Sequence, residues 1–259
     1  MLKTLKNNLF LLLLFFVGNG GYLYAQTSSP KTVDSLKYLL KSAENTSRVK
    51  ILVALSQAYG TTQQAFDYAQ QALKDAKKIN DLAVLAMAHH RMGNVYIAQE
   101  KHDQSIAAYQ KAIELWEKLG NIQKEAESYY LLGIAQTDKS DLTEALKSFI
   151  NARRFFEKSK DVIALANTLR KTGIIYSILK EYDKGKAYYK QALKLYQSEN
   201  NQRGLSSTYN NIGVIHSQVQ EHQKAWDFYQ KSRKIALELN DLMMVGITTC
   251  NMGEVLSAQ

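Results

Sequence analysis

The stretch HHRMGNVYIAQ, residues 89–99, decides the fold, because versions of it recur at a fixed interval along the chain. Its glycine, Gly93, is followed at steps of 40 residues by Gly133, Gly173, Gly213 and Gly253. The flanking residues also agree, giving YYLLGIAQTDK, LRKTGIIYSIL, YNNIGVIHSQV and TCNMGEVLSAQ. Self-similarity at a period of this length indicates a repeat architecture.

A second block recurs in step with the first: SIAAYQKAIELW, ALKSFINARRFF, GKAYYKQALKLY and AWDFYQKSRKIA. Within both blocks the apolar residues have helical spacing; one face of the second block holds Ala145, Phe149, Ala152 and Phe156. Asp141 or Ser140 is placed to cap that helix. Each unit is therefore predicted to be helix, turn, helix. Such a pair cannot bury its apolar face alone, so neighbouring units must stack.

These blocks resemble the tetratricopeptide repeat family. In one unit the family pattern falls on His89, Met92, Gly93, Tyr96, Ser105, Tyr109 and Ala112. The family's closing proline is absent, and its usual period of about 34 residues is lengthened here to 40. The resemblance implies an all-α fold, a right-handed α-solenoid of stacked helix-turn-helix repeats. It extends to longer-helix variants in the exported regions of bacterial sensor kinases and regulators.

The repeats and the N-terminus together predict the domain organisation. We expect a signal peptide over residues 1–25 and a capping helix within 26–48, before a repeat array over 49–259. The array divides into a degenerate unit, 49–80, and full units 81–120, 121–160, 161–200 and 201–240. Residues 241–259 form the first helix of a sixth unit. They are either a terminal cap or the end of a fragment of a longer protein, and their internal-type pattern favours the fragment.

The N-terminus predicts export. Two lysines precede the apolar run LFLLLLFFV, and Ala25 supplies a small residue for cleavage. An uncleaved anchor is the alternative reading, although the run is shorter than the roughly 20 residues that cross a bilayer. We therefore expect a periplasmic or envelope-associated protein. Cys250 is the only cysteine, so no disulfide forms within the chain.

The sequence argues against catalysis and against bound cofactors or metals. The adjacent histidines at 89 and 90 point about 100° apart on a helix and cannot share one ion. Glycine loops that cradle phosphate and nucleophile-elbow motifs are absent from the sequence. The net charge of +9 would suit nucleic acid, anionic lipid or an acidic protein. Export argues against nucleic acid, and any membrane link would run through the leader or an unseen C-terminal part.

The first helices of such an array line a concave groove. If the glycine is the eighth position of each unit, positions five, six and nine fall on the groove side. There we predict a binding site for an extended peptide or protein segment, formed by His90, Arg91, Asn94, Tyr130, Arg170, Lys171, Asn210, Asn211 and Asn251. Asparagine offers both a donor and an acceptor to a peptide backbone. The cations favour an acidic partner.

Two functions remain open from the sequence. The first is an exported scaffold that binds a protein or peptide in its groove. The second is the sensory part of a longer signalling protein, a histidine kinase or transcriptional regulator, whose effector lies beyond residue 259. Neither reading identifies the partner.

Overall fold

The computed structural model describes residues 30–258, which form twelve helices and no strand. The chain divides into two compact units, Met1–Ser140 and Asp141–Gln259. The helices of the first unit are α1 Pro30–Leu40, α2 Asn45–Ala58, α3 Gln63–Ala76, α4 Leu82–Ala98, α5 His102–Lys118 and α6 Ile122–Asp138. Those of the second are α7 Leu142–Ser159, α8 Val162–Ile178, α9 Tyr182–Ser198, α10 Gln202–Gln218, α11 His222–Glu238 and α12 Leu242–Ser257.

Polar residues between the repeats cap the helices that follow them. The side chains of five junction residues accept hydrogen bonds from the first-turn amides of α4, α6, α8, α10 and α12: Asp81, Asn121, Asp161, Asn201 and Asp241. Asp141 caps α7 in the predicted way, by accepting from the amide of Glu144. Each cap satisfies at least one of the donors that a helix N-terminus leaves unpaired, and Asp81 satisfies two.

Most turns between helices contain a residue with positive φ. Lys180 and Gln220 adopt it between the helices of a pair, and Lys160, Asn200 and Asn240 adopt it between pairs. One left-handed residue satisfies carbonyls at the end of a helix and allows the next to begin at once. The turns therefore need no proline, in agreement with a chain that has only one.

Three of the repeated glycines, Gly93, Gly173 and Gly213, each lie under the ring of a tyrosine from the next helix. A methyl group added at Gly93 would approach the ring of Tyr109 to 2.6 Å, and one at Gly213 would approach Tyr229 equally closely. These two tyrosines are almost fully buried. At these positions the glycine therefore allows the tyrosine ring of the next helix to pack against the backbone.

The predicted all-α fold class is confirmed by the described residues. Helix α2 begins at Asn45, before the predicted boundary at residue 49, so the first repeat-like helix is longer at its N-terminus than expected. The predicted signal peptide, residues 1–25, lies outside the described residues. The boundaries between repeats stay a prediction.

Candidate functional site

Arg91, predicted to face a partner, is instead buried against helix α2. Its Nε donates to Ser56 Oγ at 2.7 Å, and its Nη2 donates to the carbonyl oxygens of Ser56 and Gly60 at 2.6 and 3.2 Å. Burial lowers the pKa of the guanidinium to about 10, which leaves it charged at neutral pH. The cation thus satisfies carbonyls where α2 ends. Arg91 is removed from the candidate site.

His90 is also engaged within the first unit. Its Nδ1 lies 2.9 Å from Ser128 Oγ. Since that hydroxyl donates its proton to the carbonyl of Lys124, Nδ1 must be the donor to Ser128. Burial, with the nearby cations of Lys124 and Arg91, lowers the pKa of His90 to about 3. A neutral ring that is packed edge-on to Tyr109 is poorly suited to bind an acidic peptide, contrary to the prediction.

The other two predicted residues of the first unit differ in exposure. Tyr130 is only 1% exposed, so its side chain does not face a partner as expected. Asn94 is half-buried, and its Oδ1 accepts a 2.5 Å hydrogen bond from the hydroxyl of Tyr109. The carbonyl oxygen of that amide therefore already accepts one hydrogen bond within the first unit.

In the second unit, Arg170 and Lys171 lie half-buried on α8. The Nε of Arg170 donates to the hydroxyl of Tyr196 at 3.4 Å, and that hydroxyl donates to Asn167 Oδ1 at 2.6 Å. These two cations keep their place in the candidate site.

The three predicted asparagines of the second unit divide into a bonded pair and a single residue. Asn251 Nδ2 donates to Asn210 Oδ1 at 2.9 Å, which links α12 to α10. Asn210 is 8% exposed, so it supports the neighbouring helix and is not presented to a partner as predicted. Asn211 Nδ2, in contrast, is buried and has no hydrogen-bond partner. The two adjacent asparagines therefore differ in role.

One cause explains most of these corrections. Consecutive first helices come close enough for polar side chains about one period apart to pair, as in Arg91 with Ser56, His90 with Ser128, and Asn251 with Asn210. Positions five and six therefore often face the next or the preceding first helix. In the sequence, these contacts could have been predicted from pairs of polar residues separated by 35 to 41 positions.

The second unit contains a cleft of about 370 Å³ between α8, the start of α9 and α10, here called the α8–α10 cleft. It is lined by Ile174, Ser177, Ile178, Lys180, Tyr182, Tyr189, Asn211, Val214, Ile215 and Gln218. Four of these residues are aliphatic. Among the predicted site residues, Asn211 alone is in the lining.

Most buried polar groups of the α8–α10 cleft pair with one another. Ser177 Oγ lies 2.8 Å from the carbonyl of Gly173 and 3.2 Å from the hydroxyl of Tyr189. Burial raises the pKa of Tyr189 to about 12, so the phenol remains neutral. The unpaired amide nitrogen of Asn211 is left as a hydrogen-bond donor in a mostly apolar wall.

Most of the residues that line the α8–α10 cleft were not predicted from the sequence. Ile178 and Gln218 lie four residues beyond Ile174 and Val214, on the same helical face. Extending the stripe by one helical step would have found them. Lys180, by contrast, occupies the turn after α8, where no helical periodicity applies.

Within residues 30–258 no helix is both long enough and apolar enough to cross a membrane. In the same residues, no three His, Cys, Asp or Glu side chains are grouped as a metal site requires. The candidate site is thus the α8–α10 cleft with the neighbouring cations of α8.

Comparison with known proteins identifies the repeat. The tetratricopeptide repeat family model matches residues 84–158, 129–198 and 164–238, which together span more than half of the chain. Among curated protein sequences none matches.

Solved structures with the same fold are distant in sequence. BtubC from P. vanneervenii is 18% identical with a TM-score of 0.68, over 81% of this chain and 89% of that one. A Rap protein complexed with competence and sporulation factor is 15% identical with a TM-score of 0.69, over 87% and 67%. A signal transduction ATPase with a tetratricopeptide repeat sensor, from Pyrococcus horikoshii, is 19% identical with a TM-score of 0.73, over 85% and 34%. At these identities the likeness shows the fold, which is that of a helical-repeat solenoid.

Proposed function

Because this chain belongs to the tetratricopeptide repeat family, we propose that it is an exported, non-catalytic scaffold that binds an extended peptide or protein segment. The family and fold indicate protein–protein interaction, since stacked repeats form extended binding surfaces. The proposed binding surface comprises the first helices of the second unit, α8, α10 and α12.

The observation that carries this proposal is the α8–α10 cleft. It combines aliphatic walls, an unpaired amide donor at Asn211 and the nearby cations of Arg170 and Lys171 on α8, one of the helices that form the cleft. A peptide-binding site needs such a combination, because it must form hydrogen bonds with the peptide backbone and provide pockets for the side chains. The cations favour an acidic segment. The Rap neighbour, solved in a complex with competence and sporulation factor, gives independent support.

Export is part of the proposal and rests on residues 1–25. A basic start, an apolar run and Ala25 form the pattern of a secretory leader. We place the protein in the periplasm or at the cell envelope. Cell fractionation with an antibody to the chain tests this placement, and recovery only with cytosolic markers would reject it.

Selection from a displayed library of random peptides tests the binding function. The wild-type chain should enrich related sequences, whereas the double variant Arg170→Glu/Lys171→Glu should bind them about tenfold more weakly. The matched control is Lys190→Glu/Lys194→Glu, which makes the same charge change at exposed positions of α9. Circular dichroism must show equal helicity in all three proteins. Failure to enrich any sequence, or equal losses in both variants, would contradict the proposal.

A second candidate function is the sensory part of a longer signalling protein. The observation that favours it is the Pyrococcus horikoshii neighbour, in which a tetratricopeptide repeat sensor belongs to a signal transduction ATPase. This chain spans only 34% of that protein's length. The reading frame after codon 259 tests this function. An apolar stretch of about 20 residues followed by a kinase or DNA-binding pattern would support it, and an immediate stop codon would reject it.

A further inference from the structure

The walls of the α8–α10 cleft suit an apolar group. Ile174 and Ile178 come from α8, and Val214 and Ile215 come from α10, so branched aliphatic side chains stand on both sides. At about 370 Å³, the cleft is near the lower end of the range, about 300 to 1,000 Å³, found for small-ligand pockets. This volume fits one side chain with its adjoining main chain better than a large cofactor.

The occupant of the cleft must supply a hydrogen-bond acceptor. Ser177 and Tyr189 already contact one another, and Ser177 also donates to the carbonyl of Gly173. The Nδ2 of Asn211 is left without an acceptor. A buried donor in this state is destabilising until an acceptor reaches it. The carbonyl of a peptide bond is an acceptor that every extended segment carries, whatever its sequence.

The charge at the cleft adds a third requirement. Of the described residues that line it, Lys180 alone carries a charge at neutral pH, and its side chain is exposed. No lining carboxylate neutralises it. An acidic residue beside the apolar one would be attracted, and a basic residue would be repelled.

We propose that the α8–α10 cleft is a specificity pocket for one branched aliphatic side chain of a bound peptide, flanked by an acidic residue that faces Lys180. The aliphatic group packs between Ile178 and Val214. The main-chain carbonyl of the same peptide residue accepts a hydrogen bond from Asn211 Nδ2. This inference rests on the proposed peptide-binding function and adds to it the class of residue that is recognised.

The sequences selected by the wild-type full chain provide the first test. They should share one position rich in valine, isoleucine or leucine, next to aspartate or glutamate. A labelled synthetic peptide of that sequence then serves as the probe in fluorescence anisotropy. Replacing its aliphatic residue with alanine should weaken binding about tenfold.

Cleft-filling variants provide the second test. Ile178→Trp should weaken binding of the probe at least about tenfold, because the indole occupies the pocket. Leu237→Trp is the matched control, since Leu237 is 52% exposed on α11 and Ile178 is 53% exposed on α8. In Ile178→Trp, changing the peptide's aliphatic residue to alanine should have little further effect. That loss of additivity would place the peptide side chain in the cleft.

The amide variants separate the hydrogen bond from the shape of the site. Asn211→Asp keeps the size of the side chain but removes the donor, and should weaken binding about five- to tenfold. Asn151→Asp makes the same chemical change on α7, outside the proposed binding surface, and should leave the affinity within about twofold. Selected peptides without an aliphatic preference, or tight binding by Ile178→Trp, would overturn the pocket while leaving the scaffold function intact. The absence of any selected peptide would reject both.

Discussion

At the residue scale, the decisive contact is a tyrosine ring lying on a glycine one helix away. Tyr109 covers Gly93 and Tyr229 covers Gly213, and neither glycine has room for a methyl group. Gly253 has the same place in the repeat, but a methyl group there would meet nothing within 4 Å. Glycine lowers helix stability by about 1 kcal/mol relative to alanine, so its use at the covered positions has to be compensated by the close packing.

The contrast between Gly213 and Gly253 predicts opposite effects of one substitution. Gly213→Ala should lower the free energy of unfolding by about 1–3 kcal/mol, because the methyl group displaces the ring of Tyr229. Gly253→Ala should leave it unchanged or raise it by up to about 1 kcal/mol through helix propensity. Urea denaturation followed by circular dichroism measures both. Equal effects of the two substitutions would show that ring packing does not select glycine here.

Arg91 is expected to be a stability residue. Arg91→Ala removes three hydrogen bonds to Ser56 and Gly60 and leaves buried carbonyls unpaired. We expect a loss of about 2–3 kcal/mol in the free energy of unfolding. The control Arg203→Ala, at an exposed position of α10, should change stability by less than about 0.5 kcal/mol. Similar denaturation midpoints for the two variants would contradict the burial of Arg91.

At the element scale, polar pairs join consecutive first helices. His90 on α4 bonds to Ser128 on α6, and Asn251 on α12 bonds to Asn210 on α10. Helices α10 and α11 are joined by two hydrogen bonds, since Ser206 and Ser232 each donate to the other's carbonyl, at 2.9 and 2.8 Å. Buried pairs of this kind require a defined register between helices, because a shift leaves donors and acceptors unpaired.

The buried histidine predicts how stability depends on pH. His90 has a pKa of about 3 when folded, against an unperturbed value of 6.5. Between these values the unfolded chain binds a proton that the folded chain does not, so stability falls as pH decreases from about 6.5. One such group contributes a slope of at most about 1.4 kcal/mol per pH unit.

Thermal unfolding of wild type and His90→Gln between pH 7 and pH 5 measures this contribution. The variant should lose less stability on acidification, while His102→Gln serves as the control at a histidine of α5. His89, whose pKa burial also lowers, contributes in the same direction and is unchanged in both proteins. Parallel curves for wild type and His90→Gln would refute the assignment.

At the scale of the whole molecule, helix α12 carries more of the large exposed apolar side chains than any other helix of the described residues. Several large apolar side chains of α12 are exposed, led by Leu242 at 73% and including Met243, Ile247 and Leu256. Only Glu254 is charged within this helix. Exposed apolar patches of this kind promote association in water. Helix α8, by comparison, carries two positive charges, Arg170 and Lys171.

This surface predicts that the chain self-associates at high concentration. Sedimentation velocity should show a rising average mass with concentration, and Leu242→Glu/Leu256→Glu should reduce it without lowering the melting temperature. Ile150→Glu is the control, because Ile150 is similarly exposed on α7 and lies on another helix. If the double variant associates as strongly as the wild type, the apolar side chains of α12 do not cause the association.

The sequence by itself determined the helices, their caps and the glycine–tyrosine columns. These features depend on local propensity or on a strict period of 40 residues, and both can be read along one chain. Asp161 and Asn201, for example, cap helices through contacts with amides three residues away.

Only the tertiary structure decided which polar residues remain for a partner. Positions five and six of the repeats hold Arg91, His90 and Asn210 as well as Asn211. The burial of the first three depends on how closely consecutive first helices approach. The α8–α10 cleft likewise depends on the gap between two helices and on a turn residue, Lys180, that follows no helical period. Distances between residues a full repeat apart are set by the packing of whole side chains, and no local pattern in the sequence records them.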